Sequence, residues 1–181
     1  MKIKSLFFFS LFFLNGILAS AKQPFANDSI KKGKVILVSS SLGVALAGSY
    51  LYIENSWWNE KQRGFHFDNG SDKVYALNVD KVGHFIGGMQ AADIFSSSMQ
   101  WAGMGKKQSL WYGATFGSAL QLAIEMKDAY APHWGFSKWD LGVGAAGGFW
   151  PVAKYYSPTL SAIDFKFSYF KQSNIYWELE K

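Results

Sequence analysis

The sequence predicts a mainly α-helical fold: a compact bundle of about four glycine-rich apolar helices, followed by a short C-terminal β-hairpin or extended arm. The first supporting observation is composition, because 18% of the 181 residues are aromatic and only 17% are charged. The second is the recurrence of small residues four apart in successive apolar stretches, which lets helix backbones pack closely. These pairs are Gly43 and Ala47, Gly83 and Gly87, Gly113 and Gly117, and Gly144 and Gly148.

The N-terminal residues have the features of a secretory signal peptide. Lys2 and Lys4 precede an apolar run from Leu6 to Leu18, and a small-residue cleavage site follows at 19–21. An uncleaved anchor helix is the alternative, but the apolar run is short for a membrane span. We therefore expect cleavage after Ala21 and export of the rest.

Export and composition together predict the organisation and the location of the protein. Residues 1–21 are expected to be the signal peptide, 22–34 a polar tether, and 35–181 a single helical domain of the cell envelope. The expected location is the periplasm or an envelope membrane. Because the 181 residues contain no cysteine, neither a disulfide nor acylation at a lipobox cysteine is expected, so the sequence predicts that the protein is not a lipoprotein.

Four helices are predicted along this domain. Asp80 is expected to cap the second, Ser137 the fourth, and Pro151 to kink or end the fourth. Gly103 and Gly105 break the chain between the second helix and the third. The predicted helical ranges are 35–53, 80–98, 110–130 and 138–153.

The first of these helices bears on membrane association. Residues 35–53 carry no charge and as a helix would be roughly 28 Å long, about the thickness of a bilayer core. Lys31, Lys32 and Lys34 would lie on the exported side, against the usual charge asymmetry of inserted helices. Two interpretations stay open here, a transmembrane helix and a buried or interfacial one. With Trp57 and Trp58 as candidate anchors, a membrane or membrane surface is the expected partner.

Near the C-terminus the spacing of the apolar residues changes from a helical period to alternation. Phe165, Phe167 and Tyr169 occupy alternate positions, and so do Ile175 and Trp177 after a polar break. Alternation of this kind predicts a terminal β-hairpin. A single extended arm is the alternative.

Acids, a histidine and a lysine interrupt three of the predicted helices. Asp80 and His84 are four residues apart, so a helix would place both on one face. We expect one polar cluster in which His84 meets the acids of the later helices, with Asp80 and Lys81 at its edge. Those acids are Glu125, Asp128 and Asp140.

Three interpretations of this cluster stay open. The first is structural, because charged groups in an apolar bundle must pair and can fix helix register. The second is a metal-dependent or acid/base hydrolase acting on envelope lipid or glycan. Its catalytic candidates are His84, Asp80, Glu125, Asp128 and Asp140, and its metal-ligand candidates are His84, Glu125, Asp128 and Asp140. The third is a module that binds lipid or a protein partner of unknown identity.

Other functions are disfavoured by the sequence. The net charge of +5 is small and includes two lysines of the signal peptide, so nucleic-acid binding is not expected. Gly142 to Gly147 spells a dinucleotide fingerprint, but no strand precedes it and the acid of a βαβ unit is missing. No cofactor is expected, with a divalent metal ion as the alternative.

In the order and spacing of its motifs, the chain resembles the YfiM-like family of periplasmic proteins, many of them lipoproteins and all of unknown function. The resemblance covers roughly residues 65–170. The chain is also similar, more distantly, to VanZ-like membrane proteins. The resemblance implies a location rather than a reaction. The matching residues are Asp80, Lys81, Gly83, His84, Glu125, Asp128, Gly135, Phe136, Ser137, Asp140 and Gly147.

Two positions depart from this family pattern. Gly144 stands where the family commonly has asparagine, and Met89 stands where it often has tyrosine. Any chemistry that those two side chains perform in relatives is absent from this chain.

Overall fold

The computed structural model describes residues 29–56, 58–70 and 78–166, and these residues are mainly helical. The described part contains no β-strand, only a single bridge between Phe67 and Phe136. This confirms the predicted helical bundle. The helices are α1 (Lys32–Ser56), α2 (Val79–Trp101), α3 (Lys106–Asp128), α4 (Lys138–Tyr156) and the short α5 (Pro158–Ser161).

Helices α2, α3 and α4 form the tight core of the bundle. The short connection after α2, in which Gly103 has a φ of 97°, reverses the chain, so α3 runs antiparallel to α2. A second reversal at residues 129–137 returns the chain as α4, parallel to α2. The start of α2, the end of α3 and the start of α4 therefore share one end of the bundle.

Glycines hold these three helices together at backbone distance. A Cβ added at Gly88 would collide with the backbone of Gly144, and one at Gly117 would lie 2.6 Å from the Gly88 carbonyl oxygen. The pairs predicted in α3 and α4 therefore do pack, as expected. In the pair predicted in α2, Gly83 faces open space and Gly87 lies against the Gln121 side chain, so the backbone contact is made by Gly88 instead.

Helix α1 lies on the outside of this core. Of its 25 residues only Val38 is buried. Its start is fixed by the backbone N–H of Lys31, which donates to the Ala102 carbonyl at 2.9 Å, and its end by Glu54, 2.6 Å from Lys127. Among the described helices, α1 alone is long and apolar enough to cross a membrane by length and composition.

Several predicted boundaries differ from the structure. Helix α1 begins within the expected tether, and α3 begins four residues before Leu110. Asp80 is not the cap of α2, because the helix begins one residue earlier behind Asn78, whose left-handed φ of 63° sets the turn. Ser137 does cap α4. Pro151 does not end α4: the helix continues to Tyr156 with Pro151 buried inside it.

The predicted hairpin or arm falls almost entirely outside the described residues. Residues 167–181 lie outside them, and Phe165 and Lys166 are in no strand. The described part therefore gives no support to a hairpin.

The glycine contacts predict a large difference between two substitutions in α4. In Gly147→Ala the new methyl group meets the Phe85 backbone, whereas at Gly142 it meets nothing within 4 Å. We expect Gly147→Ala to lower the free energy of unfolding by about 1–3 kcal/mol or more. Gly142→Ala should leave it unchanged or raise it by up to about 1 kcal/mol. Denaturant unfolding followed by circular dichroism measures both, and equal effects would contradict backbone packing at Gly147.

Candidate functional site

The predicted polar residues meet at the end of the bundle where α2 and α4 begin and α3 ends. Asp80 and His84 come from the first two turns of α2, Glu125 from the last turn of α3, and Asp140 from the first turn of α4. The reversals of the chain on either side of α3 bring these three helix ends together. We call this group, with Lys81 and Asp128, the polar cluster.

His84 lies between three polar side chains. Its Nε2 atom is 3.7 Å from a carboxylate oxygen of Asp80 and 3.7 Å from one of Glu125. Its Nδ1 atom is 2.8 Å from Oε1 of Gln121. With the amide in this orientation, Nδ1 carries the proton and donates to Gln121. The Nε2 lone pair then faces two carboxylates, an arrangement that a proton on Nε2 or a cation between the groups would stabilise.

Asp140 is paired with Lys81 across the start of the bundle. The Lys81 Nζ atom is 3.2 Å from Oδ1 of Asp140, and the two side chains are 17% and 5% exposed. The Asp140 backbone N–H donates to the capping hydroxyl of Ser137 at 3.1 Å. This pair is therefore anchored to the first turn of α4.

Glu125 joins α3 to the same turn. It is only 1% exposed, and its Oε2 atom accepts the Ser137 backbone N–H at 2.9 Å. Carboxylates are favoured beside helix N-termini because the first N–H groups there have no partner within the helix. Glu125 thus satisfies a buried backbone donor and also faces His84.

Asp128 occupies the edge of the cluster. Its Oδ1 atom accepts the indole N–H of Trp58 at 2.6 Å, and Trp58 is 7% exposed. Trp58, one of two candidate anchors in the sequence, is therefore a core residue that fixes an acid of the cluster.

Burial changes the acidity of two carboxyl groups here. It raises the pKa of Glu125 to about 7, against the opposing effects of the Ser137 N–H and His84. Burial also raises the pKa of Asp128, against the opposing hydrogen bond from Trp58. Both groups therefore hold a proton more readily than a carboxyl group in water, because a low-dielectric surrounding disfavours the charged form.

The composition of the cluster is also compatible with a cation. Four carboxyl groups surround Lys81 and His84, so acids outnumber bases. Asp80, His84 and Asp140 each offer a ligand atom, and these atoms lie within 4.8 Å of one another. Imidazole and carboxylate groups together suit borderline or hard divalent ions.

The structure brings together most of the residues that the sequence singled out. His84, Glu125 and Asp140 converge as expected, and Asp80 lies 3.7 Å from His84 rather than at the edge. The geometrically compatible ligand set contains Asp80 in place of Glu125 and Asp128. Catalytic and metal-binding roles for all of these residues stay predictions.

Two participants were missed by the sequence analysis. Gln121 lies one turn before Glu125 on α3, and this i, i+4 spacing was the available signal. Nothing local in the sequence distinguishes Trp58 from Trp57. The other two histidines lie outside the cluster: His66 contacts backbone carbonyls, and His133 pairs with Glu60 at an exposed position.

Fold and site together define a small helical protein with a polar cluster at one end of a glycine-packed bundle. Residues 64–155, which include the whole cluster, α2, α3 and all but the last residue of α4, match the family described as "Predicted periplasmic lipoprotein (DUF2279)". The chain belongs to this family. Comparison with curated proteins and with solved structures finds no match.

The family corrects one expectation and agrees with another. The expectation that the protein is not a lipoprotein is wrong, because the family is described as one of periplasmic lipoproteins. That expectation depended on the absence of cysteine from these 181 residues alone. The expected periplasmic location agrees with the description.

The pKa of Glu125 predicts how stability depends on pH. In the unfolded chain this carboxyl ionises near its ordinary pKa of 4.5, but in the folded protein it ionises only at about 7. The folded state therefore binds more protons between these values, and stability falls as pH rises through that window, on the order of 3 kcal/mol in all. Glu125→Gln keeps an acceptor for Ser137 and should flatten this fall.

Urea unfolding from pH 4 to pH 8 measures the effect. Other ionisable side chains lie in the same cluster, so the difference between the profiles of the variants is the quantity that tests the prediction. The matched control is Glu60→Gln, at an exposed glutamate, which should keep the wild-type profile. A Glu125→Gln profile parallel to wild type would contradict the buried-proton interpretation.

Proposed function

We propose that this is an exported, membrane-associated protein of the cell envelope whose bundle contacts lipid with its outer surface. The observation that carries this proposal is an inverted distribution of side chains: the most deeply buried ones are small or polar, and many large apolar ones lie outside. In this proposal the polar cluster has a mainly structural role.

The most deeply buried side chains of the described bundle are small or polar. Among its least exposed side chains, the largest are Glu125, Ser96 and Ser109. Gln121 is buried as well, and the buried apolar side chains include several alanines, such as Ala92 and Ala114. Large apolar side chains, which fill the cores of most water-soluble domains, are buried too, but none of them is among the described side chains with the least exposure.

Large apolar side chains lie on the outside instead. Trp139 is 63% exposed, and many aromatic and aliphatic residues are also exposed. In water, exposed apolar side chains mark an interaction site where they form a contiguous surface. Examples along the bundle are Trp101, Trp111, Tyr112, Leu122, Met126, Trp134, Phe149 and Tyr155.

Lipid explains both halves of this distribution. In a bilayer, burying large side chains adds little, because lipid tails are as apolar as leucine, and helices associate through small residues and polar contacts. The contacts of Gly88, Gly117 and Gly144 are of this type. Helix α1 adds a further apolar surface that the rest of the described chain leaves uncovered.

The same reasoning supports a structural cluster. Lys81 pairs with Asp140, Glu125 accepts from Ser137, and Asp128 accepts from Trp58. These contacts join all three core helices at one end, as expected when charged groups fix helix register in an apolar surrounding. We also propose that the protein is similar to YfiM-like and, more distantly, VanZ-like proteins. In this proposal it needs no cofactor and does not bind nucleic acid.

A second candidate function is a metal-dependent or acid/base hydrolase acting on envelope lipid or glycan. The observation that favours it is Nε2 of His84 facing two carboxylates, beside a third carboxylate on Asp140. A divalent cation would be held by Asp80, His84 and Asp140 and would supply Lewis-acid chemistry. Without a metal ion, Glu125 with its raised pKa could exchange a proton near neutral pH.

Membrane association predicts how the protein fractionates. We expect it to sediment with membranes, to resist carbonate and high salt, and to need detergent, because its outer surface is apolar. Replacing two outward residues, Leu122 and Phe149, with glutamine should increase the fraction that carbonate releases. The control Lys61→Gln should not. Full release of the wild-type protein by carbonate would contradict the proposal.

The role of the cluster is tested by comparing two ion pairs. Asp140→Ala removes the buried partner of Lys81 and should lower the free energy of unfolding by about 3–5 kcal/mol. Asp164→Ala removes the exposed partner of Lys154 and should leave stability near wild type, because exposed pairs contribute little. A chelator should change neither result.

The opposite pattern would favour the second candidate. It consists of an Asp140→Ala protein with wild-type stability that has lost a divalent metal present in the purified wild-type protein. Metal analysis of both proteins by mass spectrometry, next to their unfolding curves, separates the two roles.

A further inference from the structure

The end of the bundle opposite the polar cluster is strongly basic. It is formed by the start of α1, the connection from α2 to α3, and the end of α4, and we call it the basic end. Residues 29–34 and 101–110 contain five lysines and no acid. They are one surface, because Lys31 is hydrogen-bonded to Ala102 through the backbone and the Lys34 ammonium donates to the Trp101 carbonyl at 3.1 Å.

Aromatic rings lie among these lysines. Lys34 is 4.2 Å from the ring centre of Trp101, and Lys106 is 5.5 Å from that of Tyr155. An open cleft of about 680 Å³ runs between the lysines and the rings. Tryptophan and tyrosine are enriched where a protein crosses from lipid to water, because their rings are apolar and their N–H or O–H groups are polar. The cleft is lined by Gly105, Lys106, Lys107, Gln108, Trp111, Tyr112 and Tyr155.

The cluster end has the opposite balance of charge. Residues 50–70, 78–84 and 122–140 contain seven acids and five lysines or arginines within the described residues. The 23 residues of α3 separate the two ends by roughly 34 Å. The formal net charge is therefore positive at one end of the bundle and negative at the other.

We infer that the basic end binds the headgroups of anionic phospholipids at a bilayer surface, with the polar cluster held at the far end. This inference rests on the proposed membrane association. It adds which class of lipid is bound and which end of the bundle binds it. Lysines near an anionic membrane surface each contribute to binding, and the rings among them enter the headgroup layer. Among the described residues, the other end has no surplus of basic residues and therefore no comparable attraction to such a surface.

A bilayer fits this surface better than a soluble polyanion does. The exposed aromatic rings of the basic end continue into the apolar outer surface of the bundle through Trp111 and Phe149, which are in contact at 5.9 Å between ring centres. A nucleic acid or an acidic protein would meet the lysines but leave this adjoining apolar surface in water. A phospholipid bilayer would cover both surfaces, because its headgroups would contact the lysines and its acyl chains the apolar side chains.

The test compares two double variants of the full chain. Lys106→Gln with Lys107→Gln removes two charges from the basic end, and Lys61→Gln with Lys166→Gln removes the same charge elsewhere. Each protein is diluted from detergent onto vesicles of phosphatidylcholine, alone or mixed with phosphatidylglycerol, and the vesicle-bound fraction is measured by flotation. Unfolding curves check that all three proteins are folded.

We expect wild type to bind the mixed vesicles more tightly than the neutral ones, with a preference that weakens as salt rises. The Lys106/Lys107 variant should lose about 30-fold of its affinity for the mixed vesicles and keep its affinity for the neutral ones. The Lys61/Lys166 variant should keep the preference. An unchanged preference in the first variant, or an equal loss in the second, would overturn the inference.

Two further outcomes separate this inference from the proposed function. Equal binding of wild type to both vesicles would leave membrane association standing and overturn the role of the basic end, whereas binding to neither would overturn both. Release of wild type by soluble glycerophosphate, or equally tight binding of a short oligonucleotide through Lys106 and Lys107, would assign the basic end to a soluble anion and overturn the bilayer as its ligand.

Discussion

Direct contact between helix backbones at glycines is the constraint on which the rest of this structure depends. Gly88 of α2 lies against Gly117 of α3 and Gly144 of α4, so the three axes approach more closely than larger side chains would allow. Little space remains at these contacts for large residues, and many of them lie on the outside. The same close approach brings the starts of α2 and α4 to the end of α3, where the polar cluster forms.

Close packing also explains the state of the cluster. Glu125 is almost completely buried at the point where α3 ends between the starts of α2 and α4, beside His84 and Ser137. Burial favours its neutral form, while Ser137 and His84 favour the charged one. These effects leave the pKa near 7, so the protonation of a single buried group responds to conditions around neutral pH. A proton and a cation are alternative ways to neutralise the same surplus of carboxylates.

The sequence predicted the helices and the polar cluster better than it predicted how each helix is rotated about its own axis. The four-residue spacing of Asp80 and His84 was sufficient to place both beside the acids of α3 and α4. Spacing alone could not distinguish Gly83 from Gly88 as the contact glycine, since that depends on how α2 is rotated against its neighbours. Gln121 and Trp58 were missed for a related reason: their contacts join residues 37 and 70 positions apart, and neither distance leaves a local pattern.

The inverted side-chain distribution connects the cluster to the surroundings of the protein. If lipid covers the outer surface, water is less able to stabilise charge at the cluster, and each carboxylate depends more on its partner within the protein. Lys81 and Asp140, Trp58 and Asp128, and Ser137 and Glu125 are therefore requirements of an apolar surrounding as much as features of a site. A chemical role for His84 would be added to a cluster that the bundle already needs, which is why stability and metal binding must be measured on the same variants.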